Sequence, residues 1–124
     1  MTSCLLVFTD GRRTYHVDSL ESAAEHLPRF DYRIMVNDEP APQWTAWLDA
    51  CYGDDFDILH PWDGRRGFAG AVAAGWDAVP ADTDWVFHLE ADFVFRGTPP
   101  VDKMVAALAD YPDVAQVVLK RQPW

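Results

Sequence analysis

The chain has 124 residues, which bounds it to one domain, and 49% of them are hydrophobic, enough for a packed core without disulfide or metal staples. Ten basic residues against twenty acidic ones leave a formal charge of −10. That balance argues against a basic stripe for nucleic-acid phosphates and against attraction to anionic membrane surfaces, though a bound metal could still invert the field around a phosphorylated ligand.

Six Trp and seven Phe supply large core fillers and stacking surfaces. No apolar run reaches the length of a membrane span, and the first residues lack a secretory pattern. The expectation is a protein with no membrane insertion, in the cytoplasm. Cys4 and Cys51 each sit inside an apolar pattern and are expected as small buried core residues, with no zinc spacing between them.

In chain order, residues 4–8 form a continuous apolar run, as in a strand covered on both faces, and Thr9-Asp10-Gly11 ends it. Asp18 or Ser19 can cap a helix, and Leu20, Ala23, Ala24 and Leu27 repeat at helical spacing before Pro28. Residues 33–36 predict a second strand ending at Asn37-Asp38. Pro42 suits the first turn of a helix carrying Trp44, Trp47, Leu48 and Cys51. Residues 56–59 predict a short third strand, ended by His60-Pro61. After the loop 64–67, residues 68–78 form a small-residue helix able to lie close to a sheet. Residues 85–89 predict the fourth strand. Met104, Val105, Leu108 and Tyr111 mark another helix, and residues 114–119 a last strand. This alternation predicts an α/β fold with a mostly parallel sheet flanked by helices.

Ligands of such sheets bind beyond the carboxyl ends of the strands. That rule selects Thr9, Asp10, Asp38, His60 and the turn Glu90-Ala91-Asp92. Residues two apart in extended chain point the same way, so Glu90 and Asp92 can converge on one cation. Oxygen ligands suit Mg²⁺ or Mn²⁺. Asp10 and Asp38 can accept hydrogen bonds from a base or a ribose. Arg65 and Arg66 form a basic pair before a helix N-terminus, where anions are favoured. His88 reads as a partly buried strand histidine. His88-x-Glu90 lacks the Cys-x-x-Cys partner that a zinc deaminase would need. Neither a G-x-x-x-x-G-K-[ST] loop nor a G-x-G-x-x-G fingerprint is present.

Residues 67–75, Gly-Phe-Ala-Gly-Ala-Val-Ala-Ala-Gly, followed by residues 85–93, Trp-Val-Phe-His-Leu-Glu-Ala-Asp-Phe, resemble the core of family 2-type glycosyltransferases of the GT-A fold. There a Gly-rich helix leads into an apolar strand and a D-x-D motif. The resemblance covers roughly residues 4–122 and is most specific from Arg65 to Phe95. It implies a Rossmann-like GT-A nucleotide-diphospho-sugar transferase fold, in one domain over residues 1–124. Thr9 and Asp10 would line the nucleotide site, Asp38 would contact base or ribose, Glu90 would face the ribose or the metal shell, and Asp92 would ligate Mn²⁺ or Mg²⁺. The implied reaction is transfer of a sugar from a nucleoside diphosphate sugar to an acceptor hydroxyl, the acceptor and the general base being unassigned. The chain departs from the pattern in carrying Glu90 for the first acid, Phe93 after the motif, and Val72-Ala73 where Arg-Asn is frequent. Relative to the family, the expectation is that an acceptor-side C-terminal segment is lacking.

Two alternatives share these residues: a non-catalytic nucleotide-sugar-binding module, and a nucleotidyltransferase. A receiver domain is disfavoured because Asp57 stands near the start of its strand rather than at the end.

Overall fold

The computed structural model describes residues 1–61 and 63–120. Four strands and four helices alternate: β1 (Ser3–Thr9), α1 (Arg13–His26), β2 (Tyr32–Asn37), α2 (Pro42–Tyr52), β3 (Asp57–Leu59), α3 (Gly67–Ala78), β4 (Trp85–Glu90) and α4 (Val101–Asp110). The strands form one parallel sheet in the order β3-β2-β1-β4.

Every residue of β1 is buried, as its unbroken apolar run requires of a central strand. Alternate side chains serve two cores. Leu5 and Val7 join Met35, Leu89, Leu20 and Ala23 of α1, and Trp44 and Leu48 of α2. Cys4, Leu6 and Phe8 join Ile34, Val36 and Ala71 of α3. Helices α1 and α2 therefore cover one face and α3 the other. Right-handed crossovers dictate this: the chain steps outward from β1 to β3, then returns past β1 to β4 with its helix on the opposite side.

Helix α3 lies close because it is built of small residues. A Cβ on Gly75 would stand 2.9 Å from Phe8 Cε1 and from Val36 Cγ2, so only hydrogen fits. None of the described helices is long and apolar enough to cross a membrane.

Several expectations are corrected. The segment 114–119 forms no strand; Val114, Val118 and Leu119 are exposed there, and the sheet has four strands. An apolar, β-branched run needs a neighbouring edge to become a strand, and this one pairs with none. Helix α1 begins at Arg13, not at Asp18 or Ser19, and no side chain caps it. Its first turns bury His16 and Ser19, polar residues that broke the apolar signal. Ala24, assigned to the apolar stripe, is exposed. Cys4 is buried, but Cys51 faces out near the end of α2 and is exposed.

Candidate functional site

The order β3-β2-β1-β4 puts the reversal of chain direction between β1 and β4. Their carboxyl ends are where an open α/β sheet parts its loops and leaves a crevice. A cleft of about 310 Å³ opens there. It is lined by Thr9 at the end of β1 and Asp10 after it, Asp38 after β2, Arg65 before α3, and Glu90 at the end of β4 with Asp92 beyond, with Phe68 and Arg12 among its walls. Backbone hydrogen bonds carry the ladder past the strand ends. The Asp38 N–H donates to the Thr9 carbonyl and the Ala91 N–H to the Phe8 carbonyl, both at 2.9 Å.

Asp38 is 8% exposed, and its Oδ1 accepts the backbone N–H of Arg66 at 2.7 Å. Arg66 is the N-cap residue of α3, so this carboxylate ties the end of β2 to the start of that helix. Gly64 and Gly67 hold φ of +97° and +75°, left-handed backbone that lets the loop turn into α3 without a Cβ clash. The Arg66 side chain does not border the cleft: its Nη2 donates to the His60 carbonyl at 3.2 Å, and Nη1 is buried without a partner among the described residues. Arg65 points the other way, pairing with Glu39 and reaching the Asp10 carbonyl at 3.5 Å.

Arg12 grips Asp10, its Nε lying 2.9 Å from each carboxylate oxygen, and its Nη2 stands 3.8 Å from Asp92 Oδ2. Burial pushes the Asp10 carboxyl up, but the Arg12 hydrogen bond and charge outweigh it and hold the group below its ordinary range. Glu90 lies 4.0 Å from His88 Nε2. The His88 ring stacks on Phe8 at 4.5 Å between centroids. Burial lowers its pKa, with Glu90 opposing. The Thr9 hydroxyl is buried, borders the cleft and has no hydrogen-bond partner among the described residues.

Three contributors escaped the sequence reading. Arg12 gave a signal only by proximity, two residues beyond Asp10. Asn37 registered as a strand end, yet it is fully buried and anchors the turn behind Asp38. Its Oδ1 accepts from Trp44 Nε1 and from the Glu39 N–H, each at 2.9 Å, while Nδ2 donates to the Glu39 carbonyl at 2.9 Å. Asn37 Nδ2 also lies 3.1 Å from His60 Nδ1, and His60 Nε2 lies 2.8 Å from Asp49. An amide donating to Nδ1 leaves the His60 proton on Nε2, facing Asp49. His60 thus braces the site from behind and does not line it. Glu39, which bonds Arg65, lies beyond the last residue of β2 and carried no motif.

Among the described residues, no three His, Cys, Asp or Glu side chains form a ready metal cage. The extended stretch expected through Glu90 and Asp92 is not formed, since β4 ends at Glu90 and Asp92 stands in the turn after it, but both still border one cleft with oxygen donors. That set fits a cation held by one or two carboxylates and completed by ligand phosphates, the usual habit of Mg²⁺.

No family model and no curated protein matches the sequence. Solved structures do resemble it. S. aureus TarS aligns over 89% of this chain at 16% identity, with a TM-score of 0.63. Its 1–349 portion in complex with UDP aligns equally well, and the complex with UDP-GlcNAc gives a TM-score of 0.56 at 19% identity. The chain spans 20% of the first of these chains and 32% and 31% of the other two. The fold is therefore Rossmann-like and of the GT-A type, with a parallel sheet flanked by helices.

Proposed function

We propose that this domain binds a nucleoside diphosphate sugar with a divalent cation and serves as the donor-binding part of a glycosyltransferase. The observation that carries the reading is the convergence of Thr9, Asp10, Asp38, Arg65, Glu90 and Asp92 on one cleft at the β1/β4 switch point. Residues spread over more than 80 positions meet where an open α/β sheet offers a ligand site. The TarS structures with UDP and UDP-GlcNAc, which share this fold, support a uridine nucleotide sugar as the donor class.

Each residue has a part in this reading. The unpartnered Thr9 hydroxyl and the Asp10 backbone meet the nucleotide. Asp38 accepts from base or ribose with its second oxygen, the first being held by the Arg66 N–H. Arg66 therefore acts through Asp38. Phe68, 64% exposed at the cleft wall, offers a flat apolar surface to the base. Arg65 and the start of α3 face the phosphates.

Charge supports a cation. Asp10, Asp38, Glu90 and Asp92 face Arg12 and Arg65, four carboxylates against two guanidiniums, a net −2 before any ligand enters. A diphosphate would be repelled from such a cleft unless a metal accompanied it. Asp92 would hold that metal directly, with Glu90 beside it or on the ribose. When bound, the cation would neutralise the charge developing on the departing diphosphate.

The test is calorimetric titration of the chain with UDP and with GDP, each in Mn²⁺ and in EDTA. Saturable UDP binding that requires Mn²⁺ is expected. Absence of binding for both nucleotides in Mn²⁺ would remove the reading.

A further inference from the structure

We propose that Arg12 is a built-in counter-cation of the acidic cleft, holding Asp10 and Asp92 in the metal-free protein and yielding Asp92 when a divalent cation arrives. The inference rests on the proposed donor site and concerns the charge balance of its cleft before a cation binds. Arg12 lies beyond the carboxyl end of β1, at the reversal point of the sheet. Its Nε spans both oxygens of Asp10 at 2.9 Å, and Nη2 reaches within 3.8 Å of Asp92 Oδ2. One guanidinium thus bridges the ends of β1 and β4 across the cleft.

The two contacts are unequal. Asp10 is held at hydrogen-bonding distance, the one Nε–H being shared between its two oxygens. Asp92 is attracted only through space, on a side chain 37% exposed. A cation can therefore take Asp92 without breaking the Arg12–Asp10 grip. Arg12 is itself 53% exposed and its guanidinium lies over the Tyr15 ring at 5.1 Å, so it has somewhere to rest when the cleft fills. Without this charge, Asp10, Glu90 and Asp92 would face one another across the β1/β4 gap with only Arg65 to offset them. Arg12 lowers that repulsion, and it also competes with the metal.

The competition is measurable without activity. Binding of Mn²⁺ alone to the full chain, read from the electron spin resonance signal of free Mn²⁺, is compared for the wild type and Arg12→Gln. Removing the guanidinium should tighten Mn²⁺ binding by about five-fold, the order expected for losing one partly exposed charge pair. Mn²⁺ binding that appears only in the variant supports the inference as well. Equal or weaker affinity in the variant, or no Mn²⁺ binding to either protein, overturns it. Thermal unfolding verifies that the variant folds. Should Arg12→Gln not fold, Arg12→Met keeps the apolar stem and removes the charge, and tighter Mn²⁺ binding than wild type supports the inference while equal or weaker binding overturns it. Titration with UDP and Mn²⁺ separates the two ideas. Tighter Mn²⁺ in the variant with no UDP binding to wild type retains Arg12 as counter-cation and removes the donor site. UDP binding with unchanged Mn²⁺ affinity does the reverse.

Discussion

Asp38 Oδ1 accepts the backbone N–H of Arg66 at 2.7 Å, so one carboxylate joins the end of β2 to the start of α3. The bond gives Asp38 two separable duties. One oxygen holds the helix, and in the proposed function the other meets the ligand. Asp38→Ala should lower stability by about 1 kcal/mol, the usual cost of a lost helix-start acceptor. Asp38→Asn keeps an acceptor for Arg66 and should melt like wild type while binding UDP roughly ten-fold more weakly. Thermal melts and calorimetry on the two variants separate the duties. An Asn variant with wild-type UDP affinity would show that Asp38 has only the structural one.

Asn37 carries the turn that aims Asp38. Replacing it with Ala strands the indole N–H of Trp44 in the interior and the Glu39 N–H in a part-buried turn. Unpaired buried donors cost about 1–3 kcal/mol each, so Asn37→Ala should destabilise by roughly 2–4 kcal/mol in denaturant unfolding. A loss under 1 kcal/mol would mean that water or a shifted loop replaces the amide.

Gly75 sets how closely α3 meets the sheet beneath the cleft. A methyl there would stand 2.9 Å from both Phe8 and Val36, buried residues that cannot swing away. Gly75→Ala gains helix propensity but must push α3 outward, at a net cost of about 1–3 kcal/mol. A variant as stable as wild type would show that α3 rides more loosely on the sheet.

His16 makes stability depend on pH. It is fully buried, ringed by Trp44, Trp47 and Tyr52, with neither ring nitrogen partnered among the described residues. Burial holds its pKa at about 4, against 6.5 in the unfolded chain. Because the folded pKa is depressed, the unfolded state takes up the proton first as pH falls. Stability is full above about 6.5 and drains away down to about 4, where the folded state protonates too. The difference corresponds to roughly 3 kcal/mol. Denaturant unfolding at pH 7 and at pH 4.5 should show the loss. In His16→Leu the pH dependence should shrink by most of that amount. An identical pH slope in both proteins would sink the assignment.

The same residue shows why part of the fold was legible in sequence and part was not. Continuous apolar runs announced β1, β2 and β4, helical spacing announced α2 and a run of small residues announced α3, because burial of those elements is hydrophobic. The start of α1 was hidden because its buried face is His16, Ser19 and Ser22, polar residues that local pattern assigns to solvent. Residues 114–119 erred in the opposite direction. Their β-propensity is real, but a strand needs a partner edge, which local sequence does not specify. In the site, the strand-end rule found the acids because the topology of an α/β sheet is repetitive. Arg12 and Asn37 were not found because, beyond their near neighbours Asp10 and Glu39, their roles come from Asp92, Trp44 and His60, which only the fold brings to them.

Asp92 is the residue on which the metal assignment turns. Its side chain is 37% exposed, and its ion pair with Arg12 is 3.8 Å long, a contact of little worth in water. Asp92→Asn should therefore leave the melting temperature unchanged. Its effect should fall on the ligand: in Mn²⁺ the UDP affinity of the variant should drop to the level that wild type shows in EDTA. Glu90→Gln should give a smaller loss, since Glu90 is assigned to the ribose or the edge of the metal shell. If Asp92→Asn kept the full Mn²⁺-dependent increase in UDP affinity, the cation would have to sit elsewhere in the cleft. The two remaining carboxylates nearest the gap, Glu90 and Asp10, would then be the next to substitute, with Arg12 counted against Asp10 because its Nε already spans both oxygens of that group.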